Sequence, residues 1–196
     1  MKIAVAIVVS ALVAVAALAL VAGGDEATPG DGGDAAAAVE PEPETVRPCR
    51  KTVYGELPPG WHKRAVVAGP LALLLTPDRS PKHFVPDAAL KVLAVVDAGA
   101  SVTLAVPEAE RQRISLLYDV GGPRIDRDLG LSDGTSSVRF SACSSGSEYP
   151  GRQTQFNGGF FVRDAHCAAI DAWLEGRADP IRRWLPFGVG DRHCPP

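Results

Sequence analysis

Hydrophobic and polar positions divide the chain into three regimes. From Ile3 to Ala22 every residue is apolar except Ser10, and only Met1-Lys2 precedes the run. Twenty such residues, at 1.5 Å rise each in a helix, span about 30 Å, the thickness of a bilayer's hydrocarbon core. A segment with no polar face makes a poor core helix. The pattern therefore predicts an N-terminal transmembrane helix over residues 1–24, with its cationic start inside and the remainder outside. Ala17-Leu18-Ala19 and Val21-Ala22-Gly23 are acceptable cleavage sites, so a secretory signal peptide is the alternative. Either reading exports the rest of the chain.

Residues 25–48 hold almost nothing large to bury and are rich in Gly, Pro, Ala and acid. Such a stretch cannot offset its own ordering entropy, which predicts a disordered spacer, extended through Glu40-Pro41-Glu42-Pro43-Glu44.

From residue 49 onward the pattern becomes one of short runs, alternating or apolar on both faces, bounded by turn signals. Arg64–Thr76 reads as two short strands, or one with a bulge, around Gly69-Pro70. Pro77 to Pro86 is a loop, and Lys91–Val96 with Ser101–Val106 flank a hairpin signal at residues 97–100. Further strands are predicted at Arg113–Tyr118, Ser136–Cys143 and Ile181–Val189. In the run Thr154 to Cys167, Asn157-Gly158-Gly159 leads into Phe160-Phe161-Val162, a strand buried on both faces, and the glycines allow a bulge or a close approach. Residues 168–175 read as a strand, although Ile170, Trp173 and Leu174 would also line one face of a short helix. The expected fold is all-β: a β-sandwich or open barrel of about eight short antiparallel strands spanning residues 49–196.

Charge refines this picture only slightly. Residues 25–48 carry seven acids against Arg47 and sum to −6, and with Lys2 at +1 the whole-chain value of −3 leaves residues 49–196 at +2. A nearly neutral domain lacks the dense basic face that nucleic acid requires.

The cysteines are Cys49, Cys143, Cys167 and Cys194, an even number that in an exported chain reads as two disulfides. If 136–143 and 156–163 form a hairpin, Cys143 and Cys167 lie about 20 Å apart, against a Cα limit of about 7 Å for a bridge. If 167–174 and 181–189 form a hairpin, Cys167 and Cys194 end close together. This geometry favours Cys167–Cys194 with Cys49–Cys143. The pairing Cys143–Cys167 with Cys49–Cys194 stays open if those strands lie in facing sheets.

Several stretches taken together resemble a group of membrane-anchored or secreted proteins of actinobacteria with no assigned activity. They are Gly69-Pro70-Leu71, Val102-Thr103-Leu104, Leu116-Leu117-Tyr118, Val138 to Cys143, Thr154 to Val162 and Pro186-Phe187-Gly188 before Cys194. The resemblance implies an exported β-rich domain and imports no catalytic residue.

No local motif carries chemistry. His166 and Cys167 are neighbours on a strand and point to opposite faces, so they form no thiol dyad. The histidines are scattered, no Cys-x-x-Cys occurs, and His193-Cys194 near Cys167 is the only near-cluster for a metal. Asp126, Asp128 and Asp133 hint at a calcium loop but lack its glycine and closing glutamate. Ser144-Ser145-Gly146-Ser147 is not a nucleophile elbow. We expect no catalytic, cofactor or metal site. Trp61, Trp173 and Trp184 are the residues that could form an aromatic ligand platform, and Trp61, in Trp61-His62-Lys63-Arg64 after Pro58-Pro59-Gly60, is the leading candidate because it falls near an entry loop. The expected function is a membrane-tethered binding module at the cell surface with a protein, cell-wall or small-ligand partner. The alternatives are an envelope hydrolase whose site is assembled only in the fold, and an accessory subunit of a membrane complex. A cleft where a histidine meets a carboxylate favours the hydrolase; an apolar groove rimmed by polar residues favours binding.

Overall fold

A computed structural model describes residues 39–51, 56–119, 129–146, 153–190 and 193–195. The described residues belong to one compact unit. Residues 1–38, with the expected membrane span, lie outside the described residues. Among the described residues no helix is long and apolar enough to cross a membrane.

The described residues form eleven strands: β1 (Thr45–Arg47), β2 (Ala65–Ala68), β3 (Leu71–Leu75), β4 (Ala88–Asp97), β5 (Ser101–Ala105), β6 (Ile114–Leu116), β7 (Ser137–Ser141), β8 (Gln153–Phe156), β9 (Gly159–Val162), β10 (His166–Leu174) and β11 (Ile181–Phe187). They build two sheets and no closed barrel. Sheet I has the order β1-β7-β5-β10-β11; sheet II has the order β2-β3-β4-β9-β6, with β8 also paired to β4. All pairs are antiparallel except β1 with β7, which run parallel from Thr45↔Val138 to Arg47↔Phe140.

Three expectations need correction. Residues 91–96 and 101–106 do not form a hairpin. The turn at 97–100, closed by Ala100 N–H to Asp97 C=O at 3.1 Å, carries the chain from sheet II into sheet I. Both strands are apolar toward the shared core, so period-two patterning cannot tell a hairpin from a crossover. Nor do 136–143 and 156–163 pair: β7 belongs to sheet I, β8 and β9 to sheet II. The spacer also ends earlier than predicted, because residues 40–48 are part of the domain. Glu40 pairs with Arg139 at 3.0 Å, Glu44 N–H donates to Ser137 Oγ at 3.0 Å, and Ser137 Oγ donates to Glu42 C=O at 3.1 Å. The acids that marked this stretch as solvated are what the edge of sheet I accepts.

The ambiguous residues 168–175 are strand. β10 lies between β5 and β11 and is buried on both faces. Ala168, Ile170 and Ala172 enter the core while Trp173 faces the other way, so the helix-like spacing of Ile170 and Trp173 is fortuitous.

The core between the sheets is aromatic at its centre. Tyr118 meets Phe140 edge-on at 5.0 Å between centroids, Phe140 meets Phe156 at 5.0 Å, and Phe160 meets Phe187 at 5.6 Å. Each such pair contributes about 0.5–1.5 kcal/mol beyond its buried area. The buried Tyr118 hydroxyl donates to Val92 C=O at 3.0 Å, and desolvation there pushes its pKa far above the ordinary phenol value. A side chain on Gly158 would place Cβ 2.1 Å from the Tyr118 ring. The glycine between β8 and β9 therefore serves close approach.

Candidate functional site

The structure joins Cys49 to Cys143 and Cys167 to Cys194, with Cα atoms 4.8 and 5.4 Å apart. The first bridge follows from the parallel pair. Arg47 lies opposite Phe140, so Cys49 and Cys143, just beyond, arrive side by side. The premise of a 136–143/156–163 hairpin is wrong, and the pairing it favoured is nevertheless the one found. The second bridge rests on the β10–β11 hairpin, whose register sets Cys167 opposite Pro186 before the tail turns back. With both sulfurs bridged, neither Cys167 nor Cys194 is available as nucleophile or ligand. Among the described residues no group of three or more His, Cys, Asp or Glu could hold a metal ion. Asp126 and Asp128 of the acidic loop lie outside the described residues, and the Asp133 carboxylate accepts from Gly130 N–H at 2.7 Å within its own turn.

A histidine does meet carboxylates. His166, at the start of β10, has Nδ1 2.8 Å from Asp164 C=O and 3.1 Å from Asp164 Oδ1, while Nε2 lies 3.2 Å from Glu110 Oε2. That last contact is within ion-pair range but is not aligned as a hydrogen bond, and neither atom has a hydrogen-bond partner among the described residues. Glu110 Oε1 accepts from Ala169 N–H at 3.3 Å, at a point where β5 has already turned away from β10. Arg113 Nε reaches both Asp164 oxygens at 3.1 and 3.2 Å, and its hydrogen bonding holds the Asp164 carboxyl below the usual carboxylate range. The His166 side chain is only 7% exposed. The cluster pins the β9–β10 turn to the Glu108–Glu110 turn.

The open site lies elsewhere, where the outer strand of sheet I, β11, meets the outer strand of sheet II, β2. Arg183 Nε donates to Val67 C=O at 2.8 Å across this seam. Two clefts flank it. One, of about 270 Å³, is lined by Lys63, Arg64, Arg79, Arg183, Trp184 and Pro186, with Val66 and Leu75 among its apolar walls. The other, of about 260 Å³, is lined by Leu75, Pro77, Pro81 and Val189, with Arg64 and Arg79 again on its boundary. Sharing Arg64, Leu75 and Arg79, the two are halves of one groove, and among the described residues no carboxylate side chain lines either. His166, Asp164 and Glu110 border neither half.

Local structure explains the convergence. Trp61–Arg64 is a single 3-10 turn that leads straight into β2 and presents Lys63 and Arg64. A second 3-10 turn, Pro77–Arg79, follows β3. It is fixed by Gly188 N–H donating to Arg79 C=O at 2.7 Å. Gly188 has φ +64°, and a Cβ there would lie 2.6 Å from both Ala165 and Phe84, so only glycine lets the tail pass. The Cys167–Cys194 bridge then holds Cys194 and Pro195 against the groove.

Trp61, the expected ligand platform, is half-buried edge-on to His62 at 6.1 Å and lines neither half of the groove. Trp184 does line it. Trp173 is buried beneath a separate cleft of about 290 Å³ with Glu40, Ser101, Thr103, Arg139 and Glu175. Sequence reasoning named Trp184 among the three tryptophans of a possible platform but did not single out Arg79 or Arg183. The available signal was two short runs, Trp61-His62-Lys63-Arg64 and Arg182-Arg183-Trp184, each joining a tryptophan to basic residues; whole-domain charge averaged them away.

Comparison with protein-family models, with curated proteins and with solved structures returns no match.

Proposed function

We propose that this chain is a membrane-tethered, extracytoplasmic binding module, and that its ligand carries negative charge and binds in the groove at the β2–β11 seam. The observation that carries this reading is the grouping of Lys63, Arg64 and Arg183, with Arg79 beside them, around connected clefts that no carboxylate lines among the described residues. In a domain whose overall charge is close to zero, such a local excess of cations is recognition chemistry for phosphate or carboxylate groups. Two disulfides support residence in an oxidising compartment, and the apolar run at residues 3–22 supports a tether. The hydrolase alternative draws on His166 meeting Asp164 and Glu110. Burial of that cluster and its use in holding a turn favour a structural role for it.

The test is calorimetric titration of the full chain, held in zwitterionic nanodiscs, with inorganic phosphate. Binding is expected in the millimolar range, weakening as NaCl rises, and falling about tenfold in Arg64→Gln/Arg183→Gln through loss of two charge-assisted contacts. Phosphate binding untouched by that double substitution, or none at all, overturns the reading.

A further inference from the structure

The two halves of the groove differ in chemistry, and the difference identifies the shape of the ligand. In the half nearer β11, Lys63, Arg64, Arg79 and Arg183 surround Trp184 and Pro186. In the other half, Leu75, Pro77, Pro81 and Val189 supply apolar walls beside Thr76 and Ser80, and its charged groups among the described residues are the shared Arg64 and Arg79. Proline has no backbone N–H, and the Thr76 hydroxyl already donates to Lys91 C=O at 3.1 Å, so beyond Ser80 and the two shared arginines this half's walls offer few donors to a hydrated ligand. A lone inorganic anion would need only the first half. A hydrated polyanion would require cations along the whole length. Cations gathered at one end and aliphatic walls at the other match a molecule with a charged head and an apolar tail.

We propose that the groove takes an anionic amphiphile, a phosphate- or carboxylate-headed molecule whose head sits among Lys63, Arg64, Arg79 and Arg183 and whose tail lies against Leu75, Pro77, Pro81 and Val189. This rests on the groove being the anion-binding site of the proposed module. At about 260 Å³ the apolar half lies below the roughly 300–1,000 Å³ of pockets that enclose drug-sized ligands. It therefore covers a short stretch of tail and leaves the remainder outside.

The experiment compares inorganic phosphate, octyl phosphate and octyl glucoside on the full chain in zwitterionic nanodiscs, with empty discs subtracted. Octyl phosphate is expected to bind at least about tenfold more tightly than inorganic phosphate, because burying even two or three methylenes supplies that factor. Octyl glucoside, which has the tail without the charge, is expected to bind at least about tenfold more weakly than octyl phosphate. Val189→Asn, a change at a half-buried position, should remove most of the tail-dependent gain and leave inorganic phosphate binding as it was. Arg64→Gln/Arg183→Gln should weaken both anions. Equal affinity for phosphate and octyl phosphate, or a tail-dependent gain untouched by Val189→Asn, overturns the amphiphile while leaving the anion-binding reading intact. Failure of both anions to bind overturns both proposals. Discs containing phosphatidic acid separate the two sources of such a ligand. If added octyl phosphate no longer binds, the bilayer supplies the occupant; if it still binds, the occupant arrives from solution.

Discussion

The two edges of sheet I are both closed by a disulfide, yet they are held by different means. At one edge β1 contributes three residues, paired parallel to β7, and its bridge joins residues 94 apart in sequence. At the other β11 contributes seven residues in an antiparallel ladder with β10, and its bridge closes a separation of 27. Three residues of parallel pairing cannot hold an edge alone. The Cys49–Cys143 bridge and the side-chain bonds from residues 40–44 to Ser136, Ser137 and Arg139 make up the difference. At β11 the ladder carries the strand, and the bridge serves instead to hold Cys194 and Pro195 against the groove.

The largest effects should come from removing the bridges one at a time. By the loop-entropy relation, the bridge spanning 94 residues contributes about 4.7 kcal/mol and the one spanning 27 about 3.6 kcal/mol. Cys49→Ser/Cys143→Ser is therefore expected to cost more stability in equilibrium urea unfolding than Cys167→Ser/Cys194→Ser. The local consequences should also diverge. Amide exchange of β1 should accelerate strongly in the first variant, whereas β11 should stay protected in the second while phosphate binding weakens. If β11 loses its protection together with its bridge, the contrast between the edges is wrong.

Smaller changes sharpen the same contrast. Ser137, 2% exposed, accepts from Glu44 N–H and donates to Glu42 C=O. Ser137→Ala should cost about 1–2 kcal/mol by leaving these backbone groups unpaired. The corresponding bond at the other edge is Arg182 to Asp171, with Nε and Nη2 each 2.8 Å from a carboxylate oxygen. Arg182 is 55% exposed, so solvent screening leaves this pair a net value below about 1 kcal/mol. Arg182→Gln should be the milder change by urea midpoint. The reverse order would mean that the long ladder, too, depends on its side chains.

The strands were legible because alternating or doubly apolar runs report local geometry directly. Leu71–Leu75 and Phe160–Val162 are strands in the sequence and in the fold. Partnership was less legible. The turn at 97–100 has hairpin chemistry, and only the placement of Val102 and Leu104 beside Phe140 and Val138, in the other sheet, shows that it is a crossover. β1 was hidden for a related reason. Thr45-Val46-Arg47 is too short to announce a strand, and the acids before it look like solvent-facing charge until Arg139, Ser136 and Ser137 come into reach. The groove is further still from local pattern. Arg64, Arg79 and Arg183 come from three separate segments, and only the folded seam between two sheet edges brings them together.

The smallest expected effect is a dependence on acid, and it separates β10 from the β1 edge of sheet I once more. Asp164 sits at the turn into β10, where hydrogen bonding from Arg113, with smaller help from His166, depresses its pKa against a modest opposing cost of burial. A carboxyl whose folded pKa lies below its unfolded value of about 3.9 stabilises the fold fully above that value. The contribution is lost as pH falls through the folded pKa. Because the Arg113 and Asp164 side chains are 39% and 48% exposed, screening keeps the effect below about 1 kcal/mol. Lowering pH from about 5 toward about 3, across the unfolded carboxyl range, should therefore loosen the first residues of β10, read as faster amide exchange at His166 and Cys167, while β1 keeps its protection. Arg113→Gln should remove this acid-dependent component and leave the exchange of β1 unchanged. If acid releases β1 first, or if Arg113→Gln leaves the pH profile of β10 as it was, then the turn is held by packing, and the charged cluster around Asp164 is incidental to it.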